Sequence, residues 1–334
     1  MEVRRYDRSY DDAVYRLWSG SGVKQGFVPL QRDEFDRLLL ENIHFSSDYA
    51  FLLIKEACVC GFICGCGEEE RPETKDLGLF SCLLLEEGYD TEENAGILIQ
   101  ALENAFQKNG KKKIVSSYMN PIRLPWILPE TKGRQHNNAP GIAIDTPLYQ
   151  WMMRAGYRDR ARECAMYLDL MEFEMPDWIA QKEKKAASEG YYVEWYDAGR
   201  HHKLKEMVDS MHNSMWSEEI PYAAEHINML VAVKDGCVAG FTGPVYPEKS
   251  TRGYFAGIAV AQEHEKHGLG TLLFYRLCME EKKAGSRYMS LFTGADNHAG
   301  SIYKGAGFQV KRIFALVEKS LEGQDVRRNF DGTK

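Results

Sequence analysis

The sequence predicts an α/β (α+β) protein built from two similar domains, each a mixed central sheet flanked by helices. Three observations carry this expectation. The chain repeats itself once: Lys55-Glu56-Ala57-Cys58-Val59-Cys60-Gly61-Phe62 matches Lys234-Asp235-Gly236-Cys237-Val238-Ala239-Gly240-Phe241, with five of eight positions identical. In both copies apolar strand-like runs alternate with segments of helical period that stop at a glycine. The length, 334 residues, suits two domains of roughly 100–200 residues each, and 44% hydrophobic with 27% charged residues describes a globular chain.

The elements follow in order. Phe51–Ile54 and Leu230–Val233 are apolar runs, each entering a hairpin turn made of an acid and a small residue, more favourable with Gly236 than with Ala57. A second stretch aligns Gly78 and Phe80 with Gly253 and Phe255, Leu102 with Leu277, and Gly110 with Gly285. Strands over 80–85 and 255–260 lead through a loop to helices, marked by Ile97, Leu98, Ala101, Leu102 and Ala105 in one copy and by Leu272, Leu273 and Leu277 in the other. Gly110 and Gly285 stop these helices. Strands follow at 113–117 and 288–292, and late strands at 165–170 and 313–317 come after Ala155-Gly156-Tyr157 and Ala306-Gly307-Phe308. The expected boundaries are a first domain at 1–172, a linker at 173–190, a second domain at 191–322 and a polar tail at 323–334. The charged run Gln181-Lys182-Glu183-Lys184-Lys185 is read as a solvated helix or linker.

Composition and charge exclude several classes. A formal charge of −7 lacks the basic face that nucleic-acid binding requires. No stretch reaches the roughly 18 apolar residues of a membrane span. Met1–Asp7 has no apolar signal core, so cytoplasmic residence and reduced thiols are expected. The pairs Cys58-x-Cys60 and Cys64-x-Cys66 invite a zinc reading. Their shared parity instead spreads them along one face of a strand over roughly 25 Å at about 3.3 Å per residue. They read as small packing residues, and no metal is expected. His264-Glu265-Lys266-His267 misses the His-Glu-x-x-His spacing of a zinc protease by one residue.

The copies differ after the third strand. The second reads Glu265-Lys266-His267-Gly268-Leu269-Gly270-Thr271, two glycines opening a helix behind a buried strand. Such a helix start offers unpaired N–H groups and the positive end of the helix dipole to a phosphate. Further on, Asn297…Ser301-Ile302-Tyr303-Lys304-Gly305-Ala306-Gly307-Phe308 is a short helix ending in Gly-Phe. On these residues the chain resembles the GNAT superfamily of acyl-CoA-dependent N-acyltransferases, well over 191–320 and more faintly over 1–170. Gly268 and Gly270 match that family's phosphate-loop glycines, and Tyr303, Gly307 and Phe308 match its later helix. Glu265 departs from the pattern, standing where the family has Arg or Gln. The first copy has Thr91-Glu92-Glu93 with Glu93 and Ala95 in place of Gly268 and Gly270, and Met152 in place of Tyr303. It reads as a degenerate copy, structural or substrate-shaping, with a long insertion over 120–146 that is either functional or a cover for the sheet edge.

The resemblance implies direct transfer of acetyl from acetyl-CoA to a primary amine of a small molecule, with no metal. Main-chain groups of Ile258, Ala259 and Val260 would meet the pantetheine arm. The loop Lys266, His267, Gly268, Leu269, Gly270 and Thr271 would meet the pyrophosphate, Lys266 and His267 carrying the local positive charge. Asn297 or Asp296 would cap the later helix. Tyr303 would be the general acid toward the departing sulfur. The base stays open among Glu218, Glu219, Glu225, His212, His226, Asp296 and an ordered water. Two other functions stay open: a non-catalytic acyl-CoA-binding or regulatory protein, and a protein or peptide N-acetyltransferase.

Overall fold

The computed structural model describes residues 1–67, 74–297 and 299–322. The polar tail expected at 323–334 lies outside them. The chain forms two compact units, one of residues 1–164 with 312–334, the other of 165–311.

The first unit begins with β1 (Glu2–Arg5), α1 (Asp11–Leu17) and α2 (Arg32–Phe35), then the strands β2 (Ala50–Lys55), β3 (Cys58–Gly67) and β4 (Leu77–Leu85). Helix α3 (Glu92–Lys108), β5 (Lys113–Val115), the short strands β6 (Trp126–Ile127), β7 (Gln135–His136) and β8 (Ile142–Ala143), and α4 (Pro147–Arg154) follow. Strand β9 (Arg158–Asp169) carries the chain into the second unit. That unit holds α5 (Trp178–Ser188), β10 (Tyr191–Trp195), α6 (Leu204–Asp209), α7 (Ser214–His226), β11 (Leu230–Lys234) and β12 (Cys237–Gly243). It continues with β13 (Arg252–Gly253), β14 (Gly257–Val260), α8 (Leu269–Ala284), β15 (Tyr288–Gly294) and α9 (Ala299–Gly305). Strand β16 (Gln309–Ser320) ends the described chain, with residues from 312 onward in the first unit. Sequence reading put the divisions at 172 and 191. The compact units divide inside strands instead, at 164/165 and 311/312, because hydrophobic runs mark strands but not which unit each end packs into.

In the first unit β1-β2-β3-β4 pair antiparallel, β5 joins β4 in parallel, and Glu318–Ser320 of β16 pair antiparallel with β5. Two apolar clusters cover this sheet, one around Trp18, Phe35 and Phe62, the other around Leu98, Leu102 and Phe106 of α3. In the second unit β10-β11-β12-β14 pair antiparallel, while β13 pairs in parallel with β15. Val208, Ile220 and Phe241 centre a core there, and α8 buries Leu272, Leu273, Phe274 and Leu277.

The repeat persists in the strand registers. Leu77↔Lys113 and Gly78↔Ile114 correspond to Arg252↔Tyr288 and Gly253↔Met289. Both hairpins carry a bulge at one place, where Leu53↔Gly61 gives way to Ile54↔Val59 and Ala232↔Gly240 to Val233↔Val238. The first of these bulges overturns the expectation that four cysteines line one face. The extra residue at Cys60 reverses the alternation, so Cys60 joins the α3 cluster while Cys64 and Cys66 join the opposite one.

The strand expected at 255–260 is likewise interrupted, with β13 ending at Gly253 and β14 starting at Gly257. Its counterpart β4 has an irregularity between Cys64↔Cys82 and Gly65↔Phe80 that leaves Ser81 unpaired. Beyond these points, among the described residues, neither strand pairs with its parallel neighbour: the pairing of β4 with β5 runs from Leu77 to Leu79, and β14 pairs with β12 alone. Each unit therefore opens a gap beside the far half of its third long strand.

Both hairpin turns are left-handed: Glu56 and Ala57 lie at φ 49° and 66°, Asp235 and Gly236 at 51° and 77°. Ala57 has a Cβ that this region disfavours by about 1–2 kcal/mol. Replacing Ala57 with Gly should stabilise the chain by about 1 kcal/mol, and Gly236→Ala should destabilise it by a similar amount. Shifts of the urea unfolding midpoint in opposite directions are the expected readout.

Candidate functional site

In the second unit the free edge of β14 leads straight into a helix start. Gly257–Val260 pair with Gly243–Gly240 of β12 on one side only, and Ile258, Ala259 and Val260 are half-buried. A short turn, Gln262–His264, follows, then Glu265 and Lys266, both exposed, with Lys266 at φ 66°. Gly268, at φ 77°, is the residue before α8, and no side chain among the described residues caps that helix. Leu269 is buried, whereas Gly270 and Thr271 are half-buried. A Cβ on Gly270 would come no nearer to its surroundings than 3.5 Å, from Ile302. The first N–H groups of α8 are thus unclaimed by any cap, with the helix dipole behind them.

The charges around this helix start differ from the expected set. His267 is engaged elsewhere: its Nδ1 bonds the Glu189 carboxylate and its ring lies 4.7 Å from that of Tyr191. The same bond holds the Glu189 carboxyl below its ordinary range. His264 Nδ1 is 3.0 Å from the Tyr191 hydroxyl. The cation at the turn comes from α5. A Cβ built on Gly268 would stand 3.2 Å from Lys182 Cδ and 3.3 Å from its Nζ, so the ammonium group lies over the helix start. Sequence reading had assigned Lys182 to a solvated run. Local signal is absent because Lys182 and Gly268 are far apart in the chain, although α5 packs on α8.

Tyr303 on α9 is buried among Phe255, Phe274 and Phe308, with ring centroids 6.1, 4.7 and 6.2 Å away. Burial among these rings raises its hydroxyl to about 12, so it stays protonated. Asn297 opens this helix: its Oδ1 accepts the Ala299 N–H at 2.9 Å and its carbonyl accepts that of Gly300. A capping role is what the sequence suggested for Asn297 or Asp296.

On the other side of β14 stands α7, whose start is capped by Asn213. Trp216 donates from Nε1 to the Ala256 carbonyl at 3.1 Å, and its ring presses on Gly257, where a Cβ would lie 2.4 Å from it. One turn on, the Glu219 carboxylate accepts a short hydrogen bond from the Tyr254 hydroxyl. Among the candidate bases Glu219 is therefore linked to the residues that precede β14. Glu218, Glu225, His212 and Asp296 are exposed, and His226 is exposed with its Nδ1 2.8 Å from the Tyr222 carbonyl.

The first unit closes the equivalent helix start with its own side chains. Thr91 Oγ1 accepts the Asn94 N–H at the head of α3, and its carbonyl accepts that of Ala95. Glu92 and Glu93 occupy the first turn, and Glu92 pairs with Arg154. Two carboxylates there repel a further anion.

Residues 167–308 match the acetyltransferase (GNAT) family. Solved structures share the fold at low identity. One is the GCN5-related glucosamine N-acetyltransferase region of a fungal multi-domain GH3 β-N-acetylglucosaminidase: 16% identity, TM-score 0.69, covering 95% of this chain and 38% of that one. The present chain thus spans well under half of that relative's length. A GCN5-related N-acetyltransferase from Sphaerobacter thermophilus has 15% identity and TM-score 0.61, with 96% and 95% coverage. A tandem GNAT protein from the clavulanic acid biosynthesis pathway has 14% identity and TM-score 0.59, with 97% and 100% coverage. No curated protein matches the sequence. The two units are GNAT-like folds in tandem, and the family match falls on the second.

The geometry at β14 makes a test of its own. Gly257→Ala should destabilise the second unit by about 1–3 kcal/mol through collision with Trp216, whereas Gly270→Ala, with room for its methyl, should be near neutral. Chemical denaturation of both variants distinguishes them.

Proposed function

We propose that the second unit transfers an acetyl group from acetyl-CoA to a primary amine of a small molecule. The observation that carries this reading is the uncapped start of α8 at the end of the unpaired β14 edge. An edge that offers main-chain hydrogen bonds followed by a helix dipole suits an elongated ligand with amides along its arm and a pyrophosphate at its end. In this reading Ile258, Ala259 and Val260 hold the pantetheine arm. The N–H groups of Gly268, Leu269, Gly270 and Thr271 hold the pyrophosphate, with Lys182 and Lys266 adding charge. His267, tied to Glu189, orders the loop and gives the anion no free cation. Glu265, exposed, turns to solvent without opposing the phosphates at short range.

The chemistry is a substitution at the thioester carbonyl. The neutral amine nitrogen attacks, a C–N bond forms, and the C–S bond breaks. The amine proton leaves to Glu219 or to water beside it, and the sulfur takes a proton from Tyr303. A free thiol titrates near ~8.5 and tyrosine near ~10, so a hydroxyl raised to about 12 is protonated whenever thiolate departs. Glu219 is the favoured acceptor-side group because its Tyr254 bond sets it beside the β14 entrance.

Calorimetric titration of acetyl-CoA should show one site per chain. Gly270→Glu should abolish it, and Lys182→Ala should weaken it by about tenfold, the effect of one lost charge–phosphate contact. Two sites, or none, would overturn the assignment. Coenzyme binding without acetylation of any amine would favour a regulatory binding protein. Acetylation of peptides but not free amines would favour a protein-directed enzyme.

Tyr303→Phe should leave acetyl-CoA affinity unchanged and lower kcat by about 10²-fold or more. Because burial raises the Tyr303 pKa, the wild-type rate should not decline from its ionisation until pH nears about 12. A variant with full kcat would remove Tyr303 from the mechanism.

A further inference from the structure

The gap beside β4 in the first unit is not empty wall. It holds a cavity of about 230 Å³, bounded on one side by Phe80, Ser81, Cys82, Leu83 and Leu85 of β4. Ser116 and Ser117, just past β5, face it from the other side, and the insertion contributes Asn120, Ile122, Leu124, Trp126 and Ile142. The insertion read in the sequence as functional or as a cover is therefore the lid of this cavity. Asn120 locks it in place, donating from Nδ2 to the Phe80 carbonyl at 2.9 Å and to Ser81 Oγ at 3.0 Å, and accepting the Ile122 N–H.

From these features we infer that the first unit binds a neutral aromatic small molecule between β4 and β5. Size, walls and charge each bear on that choice. An apolar cavity of about 150 Å³ accepts benzene, so this one admits a ring system about half as large again, such as a fused bicycle. Its walls include the rings of Phe27, Phe80, Trp126, Trp151 and Phe314, and stacked or edge-on ring contacts add to the burial of apolar area. Two cations lie on the lining, and each already has a partner. Lys24 pairs with Glu87 across the exposed rim, and Arg312 pairs with Asp145 at 3.0 Å. Asp90, also on the rim, is exposed and accepts the Gly88 N–H. No surplus charge therefore awaits a ligand ion, and an ion placed inside would lose its hydration without compensation. Ser116 is a buried residue on the cavity lining whose hydroxyl has no hydrogen-bond partner among the described residues, and it can accept one ring N–H or donate to a carbonyl.

Coenzyme does not fit the same place. The pyrophosphate would have to lie at the head of α3, which Thr91 caps and Glu92 and Glu93 make acidic. The two units would then share one gap in the fold but take ligands of opposite character: an anionic nucleotide conjugate in the second and an uncharged ring in the first.

Indole, indole-3-carboxylate and tryptamine test this with one ring at three charges. Titrated into the full chain and read by calorimetry and by quenching of tryptophan fluorescence, indole should bind at one site. The anionic and cationic analogues should bind at least about tenfold more weakly. Ser116→Phe, which fills the cavity from the β5 side, should lose indole binding. Ser81→Phe fills it from β4, and loss in either folded variant supports the site. A crystal soaked with indole supplies a readout independent of any variant, and density for the ring between β4 and β5 is expected. No binding by indole, equal binding of the three probes, unchanged binding in the filled variants, ring density elsewhere only, or displacement of indole by acetyl-CoA would each overturn the proposal.

Discussion

The structure of each unit turns on a break in the pairing of one strand, at Ser81 within β4 and over residues 254–256 between β13 and β14. Ser81 in β4 and Ala256 between β13 and β14 occupy equivalent positions of the repeat, and at each the third long strand leaves its parallel neighbour. A bulge bends its strand and increases its twist. The bend is then held from outside, by Asn120 Nδ2 on Ser81 Oγ in one copy and by Trp216 Nε1 on the Ala256 carbonyl in the other. A sheet edge inside a domain normally leaves polar groups without partners; keeping one open makes it a place for a ligand.

What distinguishes the copies is how the next helix begins. Both α3 and α8 start where the opened strand points. Thr91 satisfies the donors of α3 from within the chain, and two glutamates complement its dipole. Gly268, lacking a side chain and left-handed, leaves the donors of α8 exposed, with Lys182 brought over them. The first arrangement favours the folded chain alone. The second forgoes a capping contribution of typically about 1 kcal/mol. A difference of a few side chains at one helix turn thus separates a closed gap suited to an uncharged ligand from an open one suited to a phosphate.

Much of this was legible in the sequence because it rests on local rules. The hairpin turns, the helix stops at Gly110 and Gly285 and the glycines that open α8 each follow from backbone or periodicity constraints within a few residues, whereas Tyr303 stood out only through the family resemblance. The parity of the cysteines was misread because a bulge at Cys60 shifts alternation without any residue that announces it. The position of Lys182 was hidden since its charge run looks like any solvated helix, and only the packing of α5 on α8 brings the ammonium to Gly268. His267 was expected, with Lys266, to carry the local positive charge, and the contact of its Nδ1 with Glu189, distant in the chain, has no local signal. Unit boundaries were displaced because β9 and β16 each run from one unit into the other, a property of tertiary packing that strand propensity does not encode.

The glycines shared by the two copies have a cause that packing supplies. Gly78 and Gly253 are equivalent residues of the short stretches paired in parallel before the strands part. A Cβ on Gly78 would fall 2.5 Å from the Phe106 ring, and one on Gly253 would fall 2.8 Å from Glu281 Oε2. Phe106 and Glu281 occupy the same position of the equivalent helices, so in both copies a large helical side chain fills the hollow a glycine leaves at the fork. The fillers differ in kind. Phe106 belongs to the apolar cluster under α3. Glu281 is buried, accepts the Tyr246 N–H at 2.8 Å and the Ser286 hydroxyl, and has its carboxyl raised by burial to about 7. A buried carboxyl is costly unless its oxygens are bonded, and here they are bonded to the loop ahead of β13 and to the residue after α8. The second unit therefore fixes its fork through directed hydrogen bonds where the first uses ring packing. Directed bonds set the position of the loop that delivers Tyr254 and the start of β14, whereas a ring packed on glycine sets only a distance.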